Sequence, residues 1–427
     1  MHFTSLFIHE TDMPFWNWML AGVKLTKKLR DFSVKEVKIA EADQARSRRL
    51  VRDYIEDQIM EYCRQNSSLS ILRMEYTGSV YERLKTEASD EVDIMVVLKT
   101  HKPWLWGDPE VLVEDVGKAG YGLLKARDDS KLLRYANSEG YIDPERLRNG
   151  WFHGLVARAV NAFNERFPNS DERLSVHYHG PAIQVVIKEK QTYNLLLSVD
   201  LVPCFETGND QYFVPKSNSS MSISQPGFLW RQSFSLQEKY MLLCMDRDDH
   251  GCRHELLRIV KTIVKRERTS LGALQSYHVK SAFVHYITKN RHDWAGRNSL
   301  GKHFLGFLRE LLSFVERGKL PVLWQPRVNL LEEMEPVVLQ QMANRLKRIL
   351  RSEAEMDHFL SRIRLVQGEC TMAELASCTF KDYAMACIGF VLELLAKLAV
   401  LAVVILLCFF LVAICLVIEK EKKNIPA

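Results

Sequence analysis

A chain of 427 residues, 47% hydrophobic and 26% charged, has the balance of a folded protein, which excludes a disordered chain and leaves room for two or three domains or one large bilobal unit. Its net charge of +5 is mild, yet residues 24–52 alone hold ten Lys/Arg against four Asp/Glu, so the basic character belongs to one stretch. Nine cysteines without a paired spacing exclude a disulfide framework and suit free thiols in a reducing compartment.

The N-terminal segment, residues 1–33, is not a signal peptide: no basic start precedes it, its apolar runs are short, and Glu10 and Asp12 interrupt it. Its PFWNWMLAGV stretch suits packing on the fold or contact with a membrane surface. A long helix is expected from about Val34 to Cys63, with Val51, Ile55 and Ile59 on one face at i, i+4 spacing. Arg46, Arg48, Arg49 and Arg52 crowd this helix, as a solvated face or as a strip for a phosphate backbone.

Strand-like runs follow at Ile94–Leu98, Ala182–Ile187 and Leu195–Val202, consistent with a mixed sheet. The insert between Lys99 and Asn149, with acidic and basic residues mixed, has no clear pattern. Side chains alternate along a strand, so Glu91 and Asp93 share a face. Two carboxylates so placed repel unless a cation lies between them, and hard divalent ions such as Mg²⁺ take these ligands together with phosphates. Ahead of them, Gly78-Ser79 opens a short helical pattern whose free N–H groups and hydroxyl suit a phosphate. Asp200 is the one charged residue of the apolar run NLLLSVDLV. Burying a lone carboxylate is costly, and ligation of a metal offsets that cost. Together Glu91, Asp93 and Asp200 suit a two-metal site for phosphoryl transfer.

From Phe228 onward the pattern turns helical. Arg253, Arg258, Lys261, Lys265, Arg266 and Arg268 face only Glu255 and Glu267, and Arg258, Lys261 and Lys265 fall on one helical stripe. A later cluster, Arg345, Lys347, Arg348 and Arg351, reads as a solvated helix face. His250, Cys252 and His254 lack the spacing of a closed tetrahedral zinc site, and no zinc is expected. Near the C-terminus, Leu398–Ile418 runs 21 residues without a charge. A helix of that length spans about 31 Å, matching a bilayer core. The layout is that of a tail anchor with the preceding domain in the cytosol. Lys420, Lys422 and Lys423 after the span, against Lys381 and Lys397 before it, weakly favour the opposite orientation.

Three motifs carry a family resemblance: Gly78-Ser-Val-Tyr-Glu82, then Asp90-Glu-Val-Asp-Ile-Met95, then Ser198-Val-Asp-Leu-Val-Pro-Cys204. With Trp230–Ser235, Ser276–Lys280 and Asn329-Leu330-Leu331 downstream, the chain resembles the male abnormal 21-like family from about Lys35 to Phe359. The best-known enzyme of that family is cyclic GMP–AMP synthase. The resemblance implies an α/β, bilobal nucleotidyltransferase fold: spine helix and mixed-sheet core at 34–215, helical lobe at 216–365, linker at 366–397, transmembrane helix at 398–418 and a short tail at 419–427. It implies that Lys261 and Ser276 contact nucleotide phosphates, that Tyr277 stacks on a base and that Arg231 contacts one. It also makes the basic helix, with Arg258 and Lys265, a surface for double-stranded nucleic acid. The cysteine-rich zinc insertion of the vertebrate enzyme has no counterpart here, which leaves RNA or DNA open as the activator.

The expectation is therefore a nucleic-acid-activated cyclic dinucleotide synthase using Mg²⁺ or Mn²⁺ with ATP or GTP, in innate immune signalling, tail-anchored in a membrane and able to pair as a homodimer on nucleic acid. The alternative from the same resemblance is a catalytically silent, membrane-anchored nucleotide-binding scaffold or adaptor. An enzyme adding nucleotides to RNA ends is a third reading.

Overall fold

The apolar run after Glu91 becomes an inner strand of the main sheet. In the computed structural model, residues 15–37, 41–86, 91–100, 110–208, 211–216, 226–245, 249–296 and 298–361 are described. Among them, nine strands form one mixed sheet: β1 (Ile71–Thr77), β2 (Glu91–Leu98), β3 (Val111–Asp115), β4 (Tyr121–Ala126), β5 (Glu172–His179), β6 (Ala182–Glu189), β7 (Leu195–Thr207), β8 (Gln211–Val214) and β9 (Leu229–Ser233). The order is β1-β2-β7-β8-β9-β4-β3, with β5 and β6 joined on through β7. β2 and β7 pair in parallel, and the other pairings are antiparallel. β2 and β7 are rich in Val, Ile and Leu because both faces are largely covered, as parallel strands require.

The helices are α1 (Phe15–Phe32), α2 (Glu41–Leu50), α3 (Glu61–Asn66), α4 (Gly78–Tyr81), α5 (Gly154–Arg166), α6 (Ser235–Met245), α7 (Cys252–Arg266), α8 (Arg268–Leu271), α9 (Ser276–Lys289), α10 (Ser299–Arg317), α11 (Pro336–Arg351) and α12 (Glu353–Ser361). The spine is α2, a π-helical stretch Val51–Met60, and α3 in unbroken succession. Val51, Ile55 and Ile59 are fully buried in the core cluster that includes Ile94, Val96 and Val199, as their spacing requires.

The structure corrects the sequence expectation in two places and decides a third that was left open. No helix starts at Val34: Ser33–Val37 is a π-helical turn that follows directly on α1, and the spine is described from Glu41, with residues 38–40 outside the described residues. For the N-terminal segment, left open between two readings, the described part, α1, packs on the fold. α1 buries Leu25, Leu29 and Phe32, and Thr26 ties it to the helical lobe, its hydroxyl donating to the Asn298 carbonyl and accepting from the Gly301 N–H. The core sheet extends past residue 215, because β9 pairs with β8 and β4 and fully buries Trp230, whose indole N–H donates to the Ile142 carbonyl. The unreadable insert at 99–149 contains the β3–β4 hairpin.

The second lobe is built on amphipathic helices. α10 buries Phe304, Phe307, Leu308, Leu311 and Phe314 along one stripe and packs on α7, α9, α11 and α1. Among the described residues, no helix is long and apolar enough to cross a membrane. The expected span at 398–418, its linker, the tail and residues 1–14 lie outside the described residues.

Candidate active site

The parallel register of β2 and β7 does the first part of the assembly. Asp93 lies opposite Asp200, and Glu91 opposite Ser198, so all three carboxylates share one face and edge of the sheet. Asp200 is 6% exposed, Asp93 is half-buried and Glu91 is exposed. Burial pushes the Asp93 carboxyl up to about 6; the Asp200, Glu91 and Glu82 carboxylates push the same way, and Lys280 opposes them. Like charges held this closely are the condition that a divalent cation relieves.

Beside the acids lies the turn expected to seat phosphate. β1 ends at Thr77, opposite Asp93, and the chain enters the single turn α4 at Gly78. Gly78 has φ +75°, and a Cβ there would lie 1.9 Å from Asp93 Oδ2. Only glycine permits both the left-handed backbone and that approach. Ser79 follows directly, so the Gly-Ser pair and the carboxylates form one site.

The helical lobe holds the exit of this turn. Arg83 takes φ +58°, a costly conformation for a non-glycine residue. The carbonyls on either side are both held from the lobe: His254 Nε2–H donates to Glu82 O (3.0 Å) and Lys261 Nζ to Leu84 O (3.1 Å). Lys280 Nζ bridges the Glu82 carboxylate (3.0 Å) and Glu238 (2.6 Å). Burial alone would lower the Lys280 pKa, but these two carboxylates outweigh it and hold the amine charged. Lys261 is pushed down to about 8, chiefly by burial. Tyr277 hydrogen-bonds Glu238 and feels the Arg231 guanidinium, and burial raises its phenol pKa. Ser276 is exposed at the start of α9. Of the residues expected to meet nucleotide, Gly78 and Ser79 adjoin the acids, Lys261 reaches the same turn, and Tyr277 and Arg231 meet beside Glu238.

Sequence reasoning missed His179 and Gln184. His179 Nδ1–H donates to Asp200 Oδ2 (2.7 Å), and Gln184 Nε2 donates to Asp200 Oδ1 (2.9 Å). The hydrogen bond to Asp200 raises the His179 pKa. Among the described residues, Glu91, His179 and Asp200 offer donor atoms that all lie within 4.8 Å of one another, a grouping able to hold a metal ion. The signal in the sequence was Gln184, the polar residue inside the apolar run Ala182–Ile187, paired in register with Asp200. Glu82, Glu238 and Lys280 were also missed, since nothing local marks a partner in the other lobe.

The expected nucleic-acid residues divide. Arg46, Arg48, Arg49 and Lys265 are exposed, Arg52 is exposed and pairs with Asp53, and Arg258 is half-buried. Arg266 pairs with Glu36 (3.1 Å), which brings the end of α7 against the turn ahead of the spine. Arg253 departs from the expected basic stripe: it is buried, pairs with Asp249 (3.2 Å) and lies over the Trp294 ring. Arg345 likewise is not solvated; it is buried between Glu267 and Glu355. Lys24 and Lys28 of α1 pair with Glu353 and Asp357 of α12.

Comparison with known families agrees with this architecture. Residues 80–243 match the Mab-21 protein nucleotidyltransferase domain, and residues 252–348 match the Mab-21 protein HhH/H2TH-like domain. The chain is 49% identical over 345 residues to cyclic GMP-AMP synthase-like receptor 3 of Stylophora pistillata, covering 80% of this chain and 99% of that relative. It is 27% identical over 316 residues to the cyclic GMP-AMP synthase-like receptor of Trichogramma pretiosum, covering 65% of this chain and 62% of that one. It is also 23% identical over 329 residues to mitochondrial dynamics protein MID51 of Danio rerio, covering 75% and 68%. The mixed sheet and its acids thus define a nucleotidyltransferase domain. The chain belongs to the Mab-21 family, with relatives named as cyclic GMP-AMP synthase-like receptors.

Proposed function

We propose that this protein is a nucleic-acid-activated nucleotidyltransferase that joins nucleoside triphosphates into a cyclic dinucleotide, as a signal in innate immunity. The observation that carries the reading is the register of β2 and β7, which sets Asp93 beside Asp200, with Glu91 on the same face and Gly78-Ser79 against Asp93. The donor set fits Mg²⁺ or Mn²⁺, held by Glu91, Asp93 and Asp200. Bound there, two such ions supply activation of the attacking hydroxyl and neutralise charge on the transferring phosphate. The chain's own groups do the positioning. Gly78 and Ser79 seat the triphosphate, Lys261 and Ser276 meet phosphates, and Tyr277 and Arg231 hold bases. Arg46, Arg48, Arg49, Arg52, Arg258 and Lys265 supply the contact to double-stranded nucleic acid, whose phosphates attract cations whatever the sequence. Leu398–Ile418 anchors the chain in a membrane with the enzyme facing the cytosol.

The test is a labelled-nucleotide assay with all four triphosphates, Mg²⁺ or Mn²⁺, and double-stranded RNA or DNA. A phosphatase-resistant small product, lost in Glu91→Ala/Asp93→Ala, supports the synthase. The alternative, a membrane-anchored nucleotide-binding scaffold, draws on the likeness to MID51. Nucleotide binding that is indifferent to Asp200→Ala, with no product in any condition, supports that scaffold instead. Removal of 398–418 should release the protein from membranes, and retention on them counts against the anchor.

A further inference from the structure

We infer that His179 is itself a metal ligand and that, with Glu91 and Asp200, it makes a mixed nitrogen–oxygen site that holds Mn²⁺ in preference to Mg²⁺. The inference rests on the reading of the acids as a divalent-cation site and adds a residue and a selectivity to it.

The first argument is spacing. The donor atoms of Glu91, His179 and Asp200 all lie within 4.8 Å of one another. His179 Nδ1 and Asp200 Oδ2 stand 2.7 Å apart. An octahedral ion with bonds of about 2.1 Å holds neighbouring ligand atoms about 3.0 Å apart. The pair therefore needs to open by only about 0.3 Å to become two adjacent ligands. The Nδ1 proton lies between the two atoms, and an ion bonded to both would lie to one side of that line, so the ring would also have to turn. To present the Nδ1 lone pair, a neutral ring would move its proton to Nε2 through water, and a charged ring would release its Nδ1 proton to solvent.

The second argument is freedom on one side and rigidity on the other. His179 ends β5, and its side chain is 56% exposed. The ring can therefore shift by tenths of an ångström without disturbing the core. Asp200 cannot, because it lies in the middle of β7 with Oδ1 held by Gln184 (2.9 Å). That bond leaves Oδ2 turned to the ligand edge.

The third argument is ligand chemistry. Mg²⁺ is a hard ion that takes oxygen ligands and gives up water reluctantly. Mn²⁺ shares the oxygen ligands of Mg²⁺ and is the weakest binder of its own series, yet as a softer ion it accepts an imidazole nitrogen more readily than Mg²⁺ does, so exchanging one oxygen ligand for nitrogen tilts the site from Mg²⁺ toward Mn²⁺, and further toward Zn²⁺.

The experiment needs no turnover. The full chain in detergent, without nucleotide, is titrated with Mn²⁺ and followed by electron paramagnetic resonance, with Mg²⁺ affinity read by competition. The expected result is ¹⁴N modulation from a coordinated imidazole in the wild type and in Gln184→Leu, and its loss in His179→Ala. His179→Ala should weaken Mn²⁺ by about tenfold and Mg²⁺ by less than about twofold. Bound Mn²⁺ without ¹⁴N modulation in the wild type, or equal weakening of both ions in His179→Ala, overturns the inference, makes His179 a group that only orients Asp200, and leaves the cation site standing. Absence of any Mn²⁺ binding by the wild type overturns the inference and the cation site together.

Discussion

Replacing Gly78 by alanine puts a methyl group where the Asp93 carboxylate now lies. Two costs follow from the geometry. At φ +75° an L-residue pays about 1–2 kcal/mol for its left-handed backbone. The new Cβ would also lie 1.9 Å from Asp93 Oδ2, whereas ordinary contact begins at 3.4 Å, so the carboxylate or the turn must move by about 1.5 Å. A displacement near 1 Å at a reacting centre costs about 10²-fold in rate. Gly117→Ala isolates the first cost, since Gly117 has φ +74° and nothing within 4 Å of its Cβ position. Gly117→Ala should lose about 1–2 kcal/mol in denaturant unfolding, and Gly78→Ala more, since the clash with Asp93 adds to the backbone cost. Gly78→Ala alone should lose metal affinity by titration and about 10²-fold or more of nucleotide turnover. If Gly78→Ala binds metal and turns over nucleotide as Gly117→Ala does, the contact between the turn and Asp93 has no functional weight and the assembled site is wrong.

Asp93→Asn should stabilise the metal-free protein at pH 7.5, with a rise in Tm of a few degrees, while abolishing metal binding. The folded carboxyl stands at about 6 against an ordinary 3.8, so the metal-free fold loses stability as pH rises from about 4 to about 6; the advantage of the variant should vanish below that window in thermal scans. The same proton competes with the ion, so Mn²⁺ should raise Tm more at pH 7.5 than at pH 5. Lys280→Met leaves Glu82 and Glu238 facing each other in a buried site, and denaturant unfolding should show a loss of about 3–5 kcal/mol, part of which Glu238→Gln restores. Arg46→Glu/Arg48→Glu/Arg49→Glu should weaken nucleic-acid binding and flatten its dependence on salt, without changing metal affinity.

The spine face and the three acids were legible because each depends on a local period. Val51, Ile55 and Ile59 recur at helical spacing, and Glu91 and Asp93 at strand spacing, so the buried or shared face follows from the chain itself. Asp200 stood out as a charge in an apolar strand. Arg253 was misread for the complementary reason: the Trp294 ring it lies against is 41 residues along the chain, a tertiary matter, while its ion pair with Asp249 is local and was overlooked. His179 and Lys280 escaped because their partners lie across a sheet or in the other lobe. The place of α1 escaped because the partners of Thr26, Lys24 and Lys28 lie some 270 to 330 residues further along the chain.

The grip on Glu82 has a consequence for biosynthesis. Lys280, which holds its carboxylate, lies 198 residues further along the chain, and His254, which holds its carbonyl, lies 172 residues along. On the ribosome the carboxylates can come together once β7 has emerged, but the turn at Arg83 then lacks the two contacts that the lobe makes to the Glu82 and Leu84 carbonyls. The seat becomes rigid only after α7 and α9 have folded onto it. A nascent or cleaved chain that ends after the sheet would therefore carry all three acids and still lack the lobe contacts that fix the turn beside them. The turn beside the acids is thus fixed only on completion of the second lobe.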